Sequence, residues 1–415
     1  MKQLALRSFR LQYFKAVRDS KTILFEPLTV FIGNNGSGKS SLIEGVETFR
    51  AVVLSGLDAA MNRWRGFEHV WNHAAPHVLQ RSATGGPHHT NPLAFQAKGY
   101  SEGTKYHAAM QINVGEGGNR LFLQEEQCKR TRHDFSSEHV RDDEGNVHVS
   151  GFSKSSSPSN SQSASGPKST TSSTKSSSSA RSSSRERRLA DGQSCLTPLL
   201  SPFLDSWQFL MLDPAHMGDP VPQQRAARQT QLARNGANIA EYLNEIRELD
   251  KAAFEDILDA VRFVLPYARD VQPLLTSELE RAFYLKMREG TFEVPGWLLS
   301  TGTLRIVALL AALRHPTPPP LLVIEEIENG LDPRTINLVV EEIRAVIKAG
   351  AIQIILTTHS PYLLDLLDLS HIVIVEREEG QPIFHRPDAE QLAAWSKSFS
   401  PGKLYTMGRL AGGEP

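Results

Sequence analysis

One stretch of the chain combines three glycines with a lysine and a serine, at residues 33–40 (GNNGSGKS). Its spacing matches G-x-x-x-x-G-K-[ST], in which consecutive backbone N–H groups surround a phosphate. The lysine supplies a mobile cation for the β- and γ-phosphates, and the serine hydroxyl is placed to ligate Mg²⁺. The residues predicted to bind the nucleotide here are Gly33, Asn34, Asn35, Gly36, Ser37, Gly38, Lys39, Ser40 and Ser41, with Ser40 also predicted to ligate Mg²⁺.

The segments on either side of this loop have the patterns that a phosphate site requires. Leu28–Ile32 (LTVFI) is continuously apolar, as expected of a central parallel strand that is covered on both faces. Residues 40–50 predict a helix, whose N-terminus would favour an anion. The alternative is a glycine-rich turn before an ordinary helix, and the two matched flanks disfavour it.

Two adjacent acids end a second apolar strand. Leu321–Ile324 is followed directly by Glu325 and Glu326. We expect Glu325 to hold Mg²⁺ opposite Ser40, and Glu326 to orient or deprotonate the attacking water. Two acids that merely terminate a strand are the structural alternative, which is weak beside an intact phosphate loop.

A histidine ends a third apolar segment. Residues 351–356 predict another parallel strand, and the chain continues as Thr-Thr-His-Ser with His359. The carboxyl ends of parallel strands lie on the ligand side of a sheet. His359 is therefore a second candidate catalytic residue, placed to donate to the γ-phosphate or to the lytic water.

A second anion site is predicted where the chain turns sharply into an apolar helix. The sequence Leu-Ser-Thr-Gly-Thr places Ser300 and Gly302 at the start of a helix over residues 304–313. A small polar residue, a glycine and a helix N-terminus together suit an anion. Five residues are weak evidence alone, but their position just before the paired acids strengthens the interpretation.

The bulk properties narrow the class of protein. The chain has 415 residues, a formal net charge of −1 and two cysteines, Cys128 and Cys195. The near-neutral charge argues against a wholly basic nucleic-acid coat, and the two thiols fit no metal-ligand spacing or disulfide framework. The longest apolar run, residues 306–313, is far too short to span a bilayer, and the N-terminus lacks a signal-peptide block. We expect a soluble protein of the reducing cytoplasm.

The middle of the chain shows hairpins, helices and one low-complexity stretch. In residues 153–184, 18 of 32 are serine, so we expect a disordered loop, taken as 152–188. This loop is basic and could contact nucleic acid. The favoured interpretation is a solvated insertion that has no function. Near the N-terminus, Tyr13, Phe14 and Lys15 could touch the adenine or ribose, or could serve packing alone.

In this order and with these flanks, the elements resemble the ABC-type ATPases, within the RecF/SMC-like group that includes OLD-family and AAA_21-type ATPases. GNNGSGKS resembles Walker A, LSTGT the signature, LLVIEE Walker B, ENGLDP the D-loop and TTHS the switch histidine. The resemblance implies an α/β P-loop NTPase fold, an ABC ATPase head with an antiparallel β-subdomain and a helical or mixed inserted lobe. It also implies that Asp332, in the D-loop, contributes to ATP binding.

The specific match covers about residues 1–50 and 296–415. We therefore expect the head to be formed by residues 1–57, which contain Walker A, and by 296–415, which contain the signature, Walker B, D-loop and switch histidine. Residues 58–295 would form the inserted lobe. Glu325 stands where many ABC ATPases have aspartate, and Thr303 where transport-type members have glutamine.

The resemblance implies ATP and Mg²⁺ as ligands, ATP hydrolysis, and an ATP-dependent homodimer in which the signature of one copy caps the nucleotide of the other. Two hypotheses use this cycle. In the first, the ATPase cycle acts on DNA during repair or maintenance. In the second, the ATPase is a switch, for example in phage defence, that controls a separately encoded effector protein. A transporter ATPase subunit is the weaker interpretation, because no membrane-docking lobe is recognisable. We expect no membrane partner.

Overall fold

The computed structural model describes residues 4–72, 74, 79–81, 87–101, 103–115, 120–132, 135–142, 145–153, 185–224, 230–277, 279–350, 352–388, 392 and 398–410. Most of the serine-rich stretch that was expected to be disordered, residues 154–184, lies outside these ranges.

The strands are, in chain order, β1 Ser8–Phe14, β2 Val17–Asp19, β3 Ile23–Leu24, β4 Leu28–Ile32, β5 Leu79–Arg81, β6 Pro87–His89, β7 Leu93–Ser101, β8 Thr104–Val114, β9 Leu121–Arg132, β10 Phe135–Arg141, β11 Asn146–Ser153, β12 Arg185–Arg188, β13 Gln208–Leu210, β14 Val221–Pro222, β15 Ala268–Leu275, β16 Ala282–Glu289, β17 Phe292–Pro295, β18 Leu321–Ile324, β19 Gln353–Thr358, β20 Ile372–Glu378 and β21 Gln381–His385. The α-helices are α1 Lys39–Ser55, α2 Leu57–Asn62, α3 Thr197–Leu204, α4 Pro214–Met217, α5 Ile239–Leu249, α6 Lys251–Val264, α7 Thr301–Leu313, α8 Pro333–Ala349, α9 Pro361–Asp365 and α10 Pro401–Thr406.

A mostly parallel sheet forms the centre of the molecule. In the described part of the chain its order is β13, β18, β19, β4, β20 and β21, and only the pair of β20 with β21 is antiparallel. The predicted buried strands β4 and β18 are confirmed, and every residue of both is buried. Strand β13 lies within the segment assigned to the inserted lobe, yet it pairs with β18 at one edge of this sheet.

Side chains that alternate along the parallel strands separate two hydrophobic cores. In β4, Val30 and Ile32 pack with helices α5 to α8, whereas Phe31 packs with α1, α3 and the antiparallel strands. Period-two alternation places consecutive side chains on opposite faces of a strand. Both faces of the sheet are therefore covered, which explains why these strands are continuously apolar.

Antiparallel strands form a second layer, as the sequence predicts. Within the described ranges the strands run β12, β11, β10, β9, β8, β7, β1 and β2 across one sheet, and β3 pairs with β1. A smaller antiparallel sheet joins β14, β16, β15 and β17. The first of these sheets packs beside α1, and the second lies with α5, α6 and α7.

Candidate functional site

Three neighbouring parallel strands end at one edge of the central sheet. Strand β19 lies between β4 and β18, so the three carboxyl ends are adjacent. The chain leaves β4 at Gly33, β18 at Glu325 and β19 at His359. The carboxyl edge of an open parallel sheet is where ligands bind. The predicted phosphate loop, acids and histidine thus come together.

The phosphate loop leads into α1 through a left-handed glycine. Gly38 has φ 117° and caps α1, which begins at Lys39. A φ in this range is readily adopted only by glycine. Because glycine has no side chain to accept from the first N–H groups of the helix, these donors remain available to an anion.

Lys39 is buried under the loop that it belongs to. Its Nζ atom donates to the carbonyl oxygens of Gly33, at 2.5 Å, and Asn34, at 3.2 Å. Burial lowers the pKa of Lys39, while Glu326 and Glu328 oppose this by favouring the cation. The lysine therefore lies in the field of the acids that follow β18.

The C-terminal part of the described chain closes one side of the phosphate loop. Arg377 in β20 donates from Nε to the carbonyl oxygen of Gly36 at 2.8 Å. The hydroxyl of Tyr405 in α10 donates to Oδ1 of Asn34 at 3.2 Å. These side chains line a cleft beside the loop together with Glu376. Neither residue was identified from the sequence, because no motif marks them.

Glu325 is a buried carboxylate beside the Ser40 hydroxyl. The residue is only 4% exposed, and burial raises the pKa of its carboxyl group. Hydrogen bonds from Arg234 and Ser40 oppose this shift. Arg234 donates from Nη2 to Oε1 of Glu325 at 2.6 Å. The pairing of a buried carboxylate with a hydroxyl suits a hard divalent cation, which prefers oxygen ligands. Ser40 and Glu325 are therefore suitable Mg²⁺ ligands.

Glu326 has an unusual backbone conformation that several contacts hold. Its φ is 48°, in the left-handed region. Its N–H donates to Oγ1 of Thr357 at 3.0 Å, and its carbonyl oxygen accepts from Nη2 of Arg305 at 2.8 Å. Asn329 donates its side-chain amide to the carboxylate. A strained residue that its neighbours fix in this way is typical of a functional site.

A third acid, Glu328, holds the histidine. Its Oε1 accepts from the backbone N–H of His359 at 2.8 Å and lies 3.4 Å from Nδ1 of that ring. Its Oε2 is buried and has no hydrogen-bond partner in the described part of the chain. The His359 side chain is 44% exposed and lies at the site edge. Glu328 begins the ENGLDP motif, but no role was predicted for it from the sequence, although an acid two residues after Glu326 is a usable signal.

The second predicted anion site is a capped helix N-terminus. Ser300 caps α7, and its Oγ accepts from the N–H of Thr303 at 3.1 Å. The Tyr267 hydroxyl lies 3.0 Å from Oγ1 of Thr303, within hydrogen-bond distance. Asp332, predicted to contact ATP, caps α8 by accepting from the N–H groups of Arg334 and Thr335. Ser300 and Asp332 therefore each cap a helix of the same chain.

Phe14 and Lys15, near the N-terminus, make packing contacts within the chain. Phe14 is completely buried in the core. Lys15 donates to Oε2 of Glu44 in α1 at 2.6 Å, and its Nζ lies 3.8 Å from the centre of the Trp64 ring. Of the two roles that the sequence left open for this segment, these contacts favour packing.

Comparisons with known proteins agree with this geometry. The AAA_21 family, described as "AAA domain, putative AbiEii toxin, Type IV TA system", matches residues 28–365. The Nod factor export ATP-binding protein I of Rhizobium etli is 32% identical over 144 residues, which cover 34% of this chain and 41% of that protein. The chain thus spans less than half the length of that relative.

Two solved structures share the fold at low identity. A structure of the SmcHead bound to the C-winged helix domain of ScpA has a TM-score of 0.54 and 14% identity, covering 94% of this chain and 99% of that one. The Smc head domain with an extended coiled coil, bound to the C-terminal domain of ScpA from Pyrococcus furiosus, has a TM-score of 0.51 and 14% identity, covering 94% and 98%.

The described helices include none that is long and apolar enough to cross a membrane. The family match extends over most of the chain and includes the phosphate loop, both acids and the histidine. The fold is the mixed α/β fold of SMC ATPase heads, with the antiparallel sheet that the sequence predicts. The chain therefore belongs to the AAA_21 family and has a P-loop NTPase fold.

Proposed function

We propose that this protein binds ATP with Mg²⁺ and hydrolyses it to ADP and phosphate. The observation that carries the proposal is the meeting of Lys39, Glu326 and His359 at adjacent strand ends. In the reaction, water attacks the γ-phosphorus, the bond to the β–γ bridging oxygen breaks, and ADP leaves. The N–H groups of the loop and of the α1 N-terminus bind the phosphates.

Ser40 and Glu325 would hold Mg²⁺, which neutralises charge on the β- and γ-phosphate oxygens when bound. Glu326 orients the attacking water and accepts its proton. Its contacts with Thr357, Asn329 and Arg305 fix its position. His359, held by Glu328, donates to the γ-phosphate or to the water.

We infer that two copies combine to complete each site. Ser300 and Gly302 lie at the N-terminus of α7, which begins far from Lys39 in sequence. In a head-to-tail homodimer, this N-terminus in one copy would contact the γ-phosphate bound by the other. The Ser300 hydroxyl accepts from the N–H of Thr303 and shares a second hydrogen bond with the Thr303 hydroxyl at 2.8 Å. A hydroxyl both donates and accepts, so Ser300 can donate to the phosphate while it accepts from Thr303.

A variant that binds ATP without hydrolysing it tests both the proposed hydrolysis and the proposed homodimer. Glu326→Gln should keep ATP binding and stop hydrolysis, so that dimers accumulate with ATP and Mg²⁺ in light scattering after gel filtration. Lys39→Ala should remain monomeric under the same conditions, because the loop loses its cation. A Glu326→Gln variant that binds ATP but stays monomeric would overturn the dimer.

We propose that DNA is the partner of this ATPase cycle, and a basic row on the antiparallel sheet supports this. The row consists of Lys98, His107 and Lys129, which are exposed and lie directly opposite one another on β7, β8 and β9. Burial and the two flanking lysines lower the pKa of His107, so the positive charge of the row lies on Lys98 and Lys129. Within the described residues neither lysine forms an ion pair, and Glu138, opposite Lys129, accepts from Gln127. A polyanion would compensate this charge.

Steady-state ATP turnover with and without linear duplex DNA, at two salt concentrations, tests the DNA partner. We expect DNA to stimulate turnover, and the stimulation to fade as salt rises. Replacing Lys98 and Lys129 by glutamate should abolish the stimulation and leave basal turnover intact. Lys348→Glu, on the exposed side of α8, is the matched control.

The second candidate is a switch that controls a separately encoded effector protein, and the family description supports it through its reference to a toxin and a type IV toxin–antitoxin system. It predicts turnover that DNA does not change at either salt concentration. A protein that co-purifies in the ATP-bound state and is released on hydrolysis would then favour the switch over the DNA role.

A further inference from the structure

Arg234 brings a charge from the inserted segment into the ATPase site. Its guanidinium bridges two elements, donating from Nη2 to Glu325 at 2.6 Å and approaching Oε2 of Glu47 in α1 at 3.4 Å. Glu47 also pairs with Arg63 at 2.6 Å. A single side chain thus links the helix that follows the phosphate loop to the acid that follows β18.

Both carboxylates held by Arg234 are buried. Glu325 is 4% exposed and Glu47 is 6% exposed, and Glu44 adds a further negative charge close to Glu325. Removing one partner from a buried ion pair leaves an uncompensated charge, which is strongly unfavourable. A guanidinium suits this position, because its rigid, planar array of donors can bind two carboxylates at once.

The backbone around Arg234 connects it to the second acid. The Arg234 carbonyl oxygen accepts from the N–H of Met211 at 2.7 Å, in the loop that follows β13. In the same loop, the carbonyl oxygen of Leu212 accepts from Nη1 of Arg305 at 2.7 Å. Arg305 in turn donates to the backbone of Glu326. The loop after β13 is thus connected to Glu325 through one arginine and to Glu326 through another.

We propose that Arg234 is a positioning residue that sets the affinity of the Ser40 and Glu325 pair for its divalent cation. The proposal rests on the function proposed above, in which that cation is Mg²⁺ bound with ATP. Arg234 donates to Oε1 of Glu325, and the Ser40 hydroxyl also hydrogen-bonds this carboxylate. Displacing the segment that carries Arg234 would weaken cation binding without touching the phosphate loop.

Binding assays separate this role from hydrolysis. A fluorescent ATP analogue is titrated into the protein in EDTA and then at rising Mg²⁺ concentration, and Mn²⁺ binding is followed by electron paramagnetic resonance. In Arg234→Met, we expect unchanged affinity for the analogue in EDTA. The Mg²⁺ concentration that gives half of the maximal increase in affinity for the analogue should rise by about tenfold or more. This is the effect expected when a residue that holds a metal ligand is replaced.

Two further variants guard against misfolding. Arg234→Lys keeps the charge without the double contact, and Glu47→Gln removes one anchor of Arg234 but leaves Glu325 intact. Both should shift the Mg²⁺ requirement upward by less than Arg234→Met does. Arg314→Met is the matched control, because Arg314 also forms a double contact with one acid, Glu342, at 2.8 and 2.7 Å.

An unchanged Mg²⁺ requirement in folded Arg234→Met and Arg234→Lys would overturn the proposal. A lowered requirement would also overturn it, because Arg234 would then compete with the cation for Glu325. If the unaltered protein bound the analogue equally with and without Mg²⁺, the function proposed above would itself fail. Failure of the proposed function can thus be distinguished from failure of the Arg234 proposal, because it is seen with the unaltered protein.

Discussion

Gly302 and Gly330 approach each other so closely that a Cβ atom at Gly302 would lie 2.8 Å from the carbonyl oxygen of Gly330. The first residue belongs to the turn that starts α7, and the second belongs to the turn between Glu326 and α8. The LSTGT and ENGLDP turns are therefore in close backbone contact within one chain. A change in either turn is transmitted to the other, because backbone atoms cannot be displaced as side chains can.

Gly302→Ala should impair turnover much more than it impairs nucleotide binding by the phosphate loop. The new methyl group meets a backbone oxygen, so the turn that follows Glu326 must shift. A displacement of about 1 Å at a catalytic group can reduce the rate by about a hundredfold. Stopped-flow binding and steady-state turnover measure the two effects separately. Gly192→Ala is the control, since its nearest neighbour atom is 3.7 Å away. Equal losses in both variants would contradict the prediction.

Arg305→Met should lower both turnover and stability. Arg305 is 5% exposed and donates to the backbone oxygens of Leu212 and Glu326. Unsatisfied buried acceptors cost about 1–3 kcal/mol, and Glu326 would lose a contact that holds its left-handed backbone. Urea unfolding and turnover measure the two losses. Arg288→Met, which breaks an exposed ion pair with Asp270, should change the free energy of unfolding by less than about 0.5 kcal/mol.

The sequence was sufficient to predict the residues that lie at strand ends. Each motif follows a short apolar strand, and the carboxyl ends of parallel strands share one edge of a sheet. The sequence alone therefore predicts that Lys39, Glu325 and His359 lie close together. The local pattern determines these positions, because the strand, the turn and the chemistry are contiguous in the chain.

The supporting arginines could not be predicted in this way. Arg234 lies 91 residues from Glu325, and Arg305 lies 21 residues from Glu326. Arg234 stands in no pattern that differs from that of an ordinary exposed arginine. Arg305 lies within the apolar run 304–313, but this pattern does not reveal its partners. Their roles arise from the packing of the loop after β13 against β18 and α7, which is a tertiary relationship without a local signal.

Lys39→Ala should remove most of the ATP binding. Lys39 is the cation of the phosphate loop, and hydrogen bonds to charged groups contribute about 1.5–3 kcal/mol, or roughly tenfold to a hundredfold in affinity. Isothermal titration calorimetry with ATP and Mg²⁺ measures the loss. Lys348→Ala, on the exposed side of α8, should bind as the unaltered protein does. Tight binding by Lys39→Ala would contradict the role assigned to this lysine.

Cys128 and Cys195 should resist alkylation in the folded protein. Both are unpaired and buried, and burial raises the pKa of the Cys128 thiol to about 12 and the pKa of Cys195 well above its usual value. The thiolate is the reactive form, so raising the pH to about 9 should not produce labelling while the fold persists. In denaturant both thiols should react with iodoacetamide, as mass spectrometry would show. A Ser55→Cys variant, altered at an exposed position at the end of α1, should label at once and thereby confirm that the reagent is active. Rapid labelling of the native protein at either natural cysteine would mean that the core around β9 or the segment before α3 opens readily, because access to a buried thiol requires local unfolding.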